Sequence, residues 1–141
     1  MQVTRAADYG VRVMVHLAGL PSGQRATRDE LAASSEVPEH FLSKILQTLS
    51  RGGLITSHRG ASGGFALAKP PEFVTLLDVV EAVDGPIQLN VCVAAGVGCC
   101  RVTRCVVHHV WADAQNALTA VLRGATLARL AAESQVNCAW S

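Results

Sequence analysis

The sequence predicts a mainly α-helical fold that contains one small β-hairpin, and three observations lead to this prediction. Apolar residues recur at helical spacing in several segments separated by Pro and Gly. Thr27 and Glu30 have the spacing of a capping box. A glycine-rich turn over residues 59–64 separates two short β-type segments. The resulting order of helix, turn, helix and hairpin is typical of a winged helix-turn-helix, here followed by a long C-terminal helix.

The first half contains three predicted helices. The apolar spacing over residues 11–18 predicts a first helix from about Arg5 to Leu20, which ends before Pro21. Thr27 begins a short second helix that continues to about Ser34, and Pro38 suits the first position of a third. The third helix ends at Gly52-Gly53, and one of its faces is apolar: Phe41, Leu42, Ile45, Leu46 and Leu49.

Two short strands and three further helices follow. The strands are predicted at 54–58 and 65–67, and Thr75 caps a helix that ends at Gly85. A long helix with one apolar face is predicted over 105–122, and a last short one over 126–133. We therefore expect three parts: a winged helix-turn-helix domain (1–85), a cysteine-rich loop (86–104), and a long helix with a C-terminal segment (105–141).

The charge is uneven although the net charge is only +1. Residues 1–70 hold eight Lys or Arg against five Asp or Glu, whereas residues 71–141 hold four against six. Binding to a polyanion therefore belongs to the first half. The N-terminus has no signal-peptide pattern and no apolar run approaches a membrane span, so we expect a cytoplasmic protein. There is no phosphate loop or pattern of nucleophile and base, which argues against an enzyme.

The second helix of a helix-turn-helix enters the major groove of double-stranded DNA, and its outward side chains contact base edges and phosphates. The alternative is a merely solvated helix face. The residues expected to bind DNA are Thr27, Glu39, His40, Ser43, Lys44, Gln47, Arg51 and Arg59. One winged helix covers few base pairs, so a homodimer on a palindromic operator is expected. The long helix is the candidate dimer element; its alternative is packing within one chain.

Four of the five cysteines lie close together, at Cys92, Cys99, Cys100 and Cys105, ahead of His108-His109. Thiols in a chain without a secretion signal indicate metal or redox chemistry rather than a disulfide framework. Paired C-x2-C knuckles, which structural zinc prefers, do not occur. Adjacent Cys99 and Cys100 are poor joint ligands for one metal, while helix spacing would place Cys105 and His108 on one face. A regulatory disulfide stays open as an alternative.

The sequence resembles a known family, the winged-helix regulators that include the iron–sulfur regulator IscR, the nitric oxide sensor NsrR and the iron-responsive repressor RirA. The resemblance covers almost the whole length. It depends on four segments in the family order: MQVTRAADYGVRVMVHLA, VPEHFLSKILQTLSRGGLITSHRGASGGFALAKP, TLLDVVEAVDG and TLARLA. It implies a homodimeric regulator, often a repressor, that holds an iron–sulfur cluster on three cysteines and one further ligand. Residues 1–85 would then be the DNA-binding domain, 86–104 the cluster-binding loop, and 105–141 the dimerisation helix with a C-terminal segment.

By this resemblance, the three cysteine ligands of the family correspond to Cys92, Cys99 and Cys105. The family's spacing between its second and third cysteines selects Cys99 over Cys100. The fourth ligand has two candidates. His108 matches the histidine that ligates a [2Fe–2S] cluster in IscR, and Asp8 matches the aspartate that the partner subunit supplies to a [4Fe–4S] cluster in NsrR-like proteins. His108, and with it [2Fe–2S], is preferred. Redox state, nitric oxide or iron supply would then control operator affinity; a clusterless thiol switch is the alternative.

Overall fold

Six α-helices and two short strands make up the part of the chain that this computed structural model describes, namely residues 2–94, 101 and 103–137 without the side chains of 136 and 137. The elements are α1 (Arg5–Gly19), α2 (Arg28–Ser35), α3 (Glu39–Arg51), β1 (Ile55–His58), β2 (Gly64–Leu67), α4 (Leu76–Asp84), α5 (His108–Gly124) and α6 (Leu127–Asn137). The predicted winged helix-turn-helix is confirmed. None of the helices within these residues has the length and apolar character needed to cross a membrane.

The helix starts follow from local hydrogen bonds that the sequence encodes. The predicted capping box at α2 is present: the Glu30 N–H donates to the Thr27 hydroxyl at 3.2 Å, and the Thr27 N–H donates to the Glu30 carboxylate at 2.8 Å. Thr75 and Asp78 form the same pair of bonds at α4. Pro38 differs slightly from expectation, because it precedes the first residue of α3 instead of occupying the first position. These caps satisfy amides that a helix start leaves free.

The wing is a hairpin that is tied to the connection between α1 and α2. β1 and β2 are antiparallel, in a register that pairs Ile55 with Leu67. Ala26 extends this ladder, because it exchanges two backbone hydrogen bonds with Phe65 at 3.0 and 2.8 Å. Arg25, its neighbour, donates from Nη1 to the Ser62 carbonyl at 3.2 Å. The position of the wing therefore depends on the loop before α2 as well as on its own turn.

The pairing between the wing and Ala26 leaves no room for a side chain at Gly64, and this gives a first prediction. A Cβ at Gly64 would lie 2.6 Å from the Ala26 carbonyl oxygen, on a backbone with φ of 135°. We expect Gly64→Ala to lower the free energy of unfolding by about 1–3 kcal/mol for the backbone conformation, and further through the clash. Urea unfolding measures the loss.

Gly60→Ala is the matched control for this prediction. Gly60 also has positive φ, 103°, but a Cβ there meets no atom of the described residues within 4 Å. The excess destabilisation of Gly64→Ala over Gly60→Ala reports the clash with the Ala26 backbone. Equal losses for the two variants would show that Ala26 does not constrain the wing.

The hydrophobic core joins the first half of the chain to its last helix. Met14 of α1, Leu31 of α2, Leu42 of α3 and Leu127 of α6 are all fully buried in one cluster. Two backbone bonds fix the start of α6 beside the start of α4: Leu76 N–H to the Ala125 carbonyl at 2.8 Å, and Leu127 N–H to the Val74 carbonyl at 2.9 Å. The core around the helix-turn-helix therefore includes residues from near the C-terminus.

The long helix α5 begins later than predicted, so the expectation that Cys105 shares a helix face with His108 is wrong. Cys105 lies in a turn, and α5 starts at His108. The reason is local: Val106 and Val107 are β-branched, and the residue before α5 supplies no side-chain cap. α5 lies along α4, with Leu118 and Leu122 packed on a small cluster of α4 and the residues after it: Leu77, Val80 and Ile87.

Candidate nucleic-acid interface and metal centre

α3 has one buried and one exposed face. Leu42, Ile45, Leu46 and Leu49 are buried, as predicted. Phe41, assigned to the same apolar face, is 37% exposed; its ring lies 5.7 Å from that of Tyr9 and 4.6 Å from that of His40. Packing of the apolar face against the core therefore turns the polar side chains of α3 outward.

Seven of the eight residues predicted to bind DNA are exposed and the eighth, Ser43, is half-buried. Ser43, Gln47 and Arg51 follow one another at intervals of four along α3, so they share a face. With Arg28 of α2 they line a groove of about 570 Å³ between the helix-turn-helix and the wing. Hydroxyl, amide and guanidinium groups line it together with apolar side chains, and no carboxylate does. Such a surface can receive a phosphate backbone and base edges.

The other five predicted residues are not among those that line this groove. Glu39, His40 and Lys44 belong to the first turns of α3, and Arg59 follows β1 in the wing turn. The Thr27 hydroxyl accepts the Glu30 N–H, so this side chain has a capping role. Contact of these residues with DNA stays a prediction.

Two cations near the interface were missed from the sequence. Arg28 lines the groove from the first position of α2, and Arg25 holds the wing turn. A signal for Arg28 was available: a cation in the first turn of a helix opposes the helix dipole, so its presence there suggests a role other than helix stability. Arg25 carried no such signal, because its partner Ser62 lies 37 residues further along the chain.

The cysteine site is partly described by the structure. Cys92 lies half-buried in a 3-10 turn (Val91–Val93) that packs against α5. Cys105 is also half-buried, in a turn where its N–H donates to the Arg101 carbonyl at 2.8 Å. The His108 N–H in turn donates to the Cys105 carbonyl at 3.4 Å. Cys105 and His108 are therefore one turn of chain apart at the start of α5.

The imidazole of His108 has an unusual environment. Its Nδ1 atom is buried and has no hydrogen-bond partner among the residues that the structure describes. Buried polar atoms are normally paired, so an unpaired ring nitrogen beside a cysteine suits a metal ligand. The other candidate, the exposed Asp8, forms an ion pair with Arg12 at 3.0 Å within α1.

The candidate ligands are not all brought together by the structure. Cys99 and Cys100 lie outside the described residues, as does Cys138. Within residues 2–94, 101 and 103–137, no three His, Cys, Asp or Glu side chains form a group that could hold a metal ion. Cys105 and His108 are three residues apart at the start of α5, whereas Asp8 is on α1.

A hydrogen-bonded contact joins the start of α1 to the end of α4. The Thr4 N–H donates to Asp84 Oδ2 at 3.1 Å, and the Thr4 hydroxyl donates to Asp84 Oδ1. The same hydroxyl accepts the Ala7 N–H and caps α1. Asp84 is followed by Gly85, after which the segment with Cys92 begins. The chain just before the segment that carries Cys92 is therefore held beside α1, and α1 packs against α3.

Comparisons with known proteins agree with this architecture. A family profile described as Rrf2, an iron-dependent transcriptional regulator, matches residues 3–133. A protein of Mycobacterium tuberculosis named as a helix-turn-helix-type transcriptional regulator is 41% identical over 87 residues, which are 62% of this chain and 54% of that protein. The match thus spans about half of the relative's length.

Two solved structures are similar over nearly the whole chain. CymR, the global cysteine regulator of B. subtilis, is 27% identical with a TM-score of 0.77, and the match covers 94% of this chain and 98% of that one. IscR of T. potens is 23% identical with a TM-score of 0.75, over 100% of this chain and 92% of that one. The IscR likeness concerns the fold alone.

Proposed function

Because the chain belongs to the Rrf2 family of iron-dependent transcriptional regulators, we propose that it is a repressor whose affinity for a palindromic operator is controlled by an iron–sulfur cluster. The family and the relatives are transcriptional regulators, which agrees with the prediction that the chain is not an enzyme. DNA binding and the winged helix follow from the family. The operator, the cluster and its ligands are the proposed part.

The groove between α3 and the wing supports a role for α3 in reading DNA. It presents Ser43 and Gln47, which can pair with base edges, beside Arg28 and Arg51, which can neutralise phosphates. Both cations are exposed, so neither is committed to the core. We infer that Ser43 and Gln47 supply base contacts and that the two arginines supply affinity and orientation.

Replacing Arg28 or Arg51 by Ala should weaken operator binding at every sequence and reduce the dependence on salt. Each lost phosphate contact should lower the slope of log K against log salt by about one unit. Fluorescence anisotropy over a salt series measures both quantities. Arg129→Ala is the control, because it removes the same charge from an exposed i,i+4 ion pair with Glu133 on α6. Slopes that match this control would exclude Arg28 and Arg51 from the interface.

α5 carries an uncovered apolar surface that suits a second copy of the chain. Val107 (48% exposed), Val110 (52%), Trp111 (40%) and Val121 (71%) lie at or along α5, and no residue of this helix is buried. Apolar side chains of this size on one helix normally have a partner. We propose that this apolar stripe (Val107, Val110, Trp111 and Val121) pairs with the same stripe of a second copy in a homodimer.

The observation that carries the cluster proposal is the buried Nδ1 of His108, which has no hydrogen-bond partner within residues 2–94, 101 and 103–137 and lies one turn after the half-buried Cys105. Thiolate and imidazole are the donor set of known iron–sulfur sites. We propose Cys92, Cys99 and Cys105 with His108 as ligands. His108 is preferred over Asp8 because Asp8 already has an ion-pair partner in Arg12.

A cluster bound by these residues would supply a centre that responds to redox state, nitric oxide or iron supply. The contribution of the chain is to connect that site to α3. Cys105 and His108 belong to the start of α5, α5 packs on α4, and Asp84 at the end of α4 holds Thr4 at the start of α1. A change at the cysteines can therefore shift the spacing of the two recognition helices, and the operator affinity with it.

Anaerobic purification tests the cluster directly. The protein should be coloured and contain iron and sulfide, and its operator affinity should change when the cluster is removed. A colourless protein without iron or sulfide would overturn the proposal. It would favour the second candidate, a clusterless thiol switch, which is supported by two half-buried thiols, Cys92 and Cys105, and by the likeness to a cysteine regulator. Operator affinity that follows thiol oxidation in iron-free protein would establish that alternative.

A further inference from the structure

The side-chain amide of Gln115 binds the segment that carries Cys92 at two points. Its Oε1 accepts the Leu89 N–H at 3.0 Å, and its Nε2 donates to the Val93 carbonyl at 3.2 Å. Only this orientation of the amide satisfies both backbone groups, since a backbone N–H needs an acceptor and a carbonyl needs a donor. We infer that Gln115 is a positioning residue that fixes Cys92 relative to α5; its role in cluster binding rests on the function proposed above.

The two bonds enclose the position of Cys92. Leu89 lies three residues before Cys92 and Val93 lies directly after it, so both flanks are held by one side chain. Between Leu89 and Val93, the segment is also restrained by hydrogen bonds within itself. Asn90 caps the 3-10 turn, and the Val93 N–H donates to the Asn90 carbonyl at 3.1 Å. The segment therefore has little freedom to move while the amide of Gln115 stays in place.

Gln115 and His108 lie on the same side of α5. They are seven residues apart, which is about two helical turns and about 10.5 Å along the axis. Both are half-buried, in contrast to Trp111 and Val121 of the exposed stripe. Gln115 thus holds the segment with Cys92 against the side of α5 that carries His108. Cys105 lies just before the first residue of the same helix. The amide of Gln115 therefore contributes directly to the spacing of Cys92 from Cys105 and His108.

Packing alone does not require an amide at this position. An apolar side chain could fill the space against the 3-10 turn, but it would leave the Leu89 N–H and the Val93 carbonyl without these partners. A glutamine that uses both of its polar atoms on one short segment has a geometric role. The consequence is specific: loss of the amide should free Cys92 and leave Cys105 as it was.

Thiol alkylation of the reduced, metal-free full-length protein tests this consequence. In Gln115→Ala, which loses both hydrogen bonds, the alkylation rate of Cys92 with iodoacetamide, resolved by peptide mass spectrometry, should rise about tenfold or more. The rate of Cys105 should stay unchanged. Gln115→Glu, which keeps the acceptor for Leu89 but loses the donor to Val93, should fall between. Asn116→Ala, an exposed neighbour on α5, is the control.

Two results would overturn the inference. An unchanged Cys92 rate in Gln115→Ala would show that the amide does not hold the segment. Equal acceleration at Cys92 and Cys105 would show a general loosening of the fold.

Cluster binding is measured in a separate experiment. After cluster reconstitution, the visible absorbance of Gln115→Ala should decay faster than that of Asn116→Ala. Equal decay rates would limit Gln115 to a structural role. A colourless wild type would refute the cluster proposal, while the alkylation rates would still decide the geometry.

Discussion

Replacing Cys105 by Ala should abolish the visible absorption of the anaerobically purified protein and leave a folded protein of unchanged oligomeric state. Cys105 lies half-buried in the turn directly before α5, three residues ahead of His108, whose Nδ1 is buried and has no hydrogen-bond partner in the described part of the chain. Loss of one of the four proposed ligands should remove the proposed cluster site, whereas a half-buried side chain in a turn contributes little to the core. Absorption spectra, iron analysis and sedimentation measure the three quantities.

Cys138→Ala is the control for this prediction, because the sequence places Cys138 far from the other cysteines. It should keep the colour. Unchanged colour in Cys105→Ala would refute the ligand assignment. Mössbauer spectra of His108→Ala and Asp8→Ala then identify the fourth ligand and the cluster type. A spectrum changed by His108→Ala alone supports a [2Fe–2S] site, and one changed by Asp8→Ala alone supports a [4Fe–4S] site.

Trp111→Glu should convert the protein to a monomer and weaken operator binding by about 10²- to 10⁴-fold, the usual gain of linking two binding modules. Trp111 is the largest side chain of the apolar stripe and is 40% exposed in a single chain. A carboxylate buried there between two copies would lose its hydration without a partner. Analytical ultracentrifugation and operator titrations measure the two effects.

Asn116→Glu adds the same charge to the same helix at a polar, exposed position. It lies about 140° around the helix from Trp111, so the dimer should persist. A Trp111→Glu variant that stays dimeric would place the interface elsewhere. A monomer that binds operator as tightly as the wild type would show that one winged helix suffices.

The features that sequence reasoning predicted correctly have local physical causes. The Thr27–Glu30 capping box and the apolar face of α3 each depend on residues within a few positions of one another. Periodicity and capping are readable from the chain for that reason. The start of α5 also has a local cause, but its signal in the sequence is weaker. Val106 and Val107 are β-branched and no side chain caps the helix, so α5 begins after Cys105.

What could not be predicted depends on contacts between distant residues. The Ala26–Phe65 pairing joins positions 39 residues apart, and the bonds of Gln115 reach back 22 and 26 residues. No periodicity marks such partners, because Ala26 and Phe65 pair through their backbones and Gln115 is a single amide that meets two backbone groups. For the candidate site, cysteine spacing indicated the chemistry, while the role of the Gln115 amide required the fold.

The burial of Leu127 in the core around α1–α3 has a consequence for protein synthesis. The ribosome releases the chain from its N-terminus, so α1, α2 and α3 emerge well before α6 exists. Until residue 127 and the rest of α6 have appeared, one side of α1 has no cover. A nascent regulator therefore completes the fold of its helix-turn-helix only after the four cysteines between positions 92 and 105 have been made. For the same reason, a fragment ending at residue 85 would need a substitute for Leu127 to fold stably.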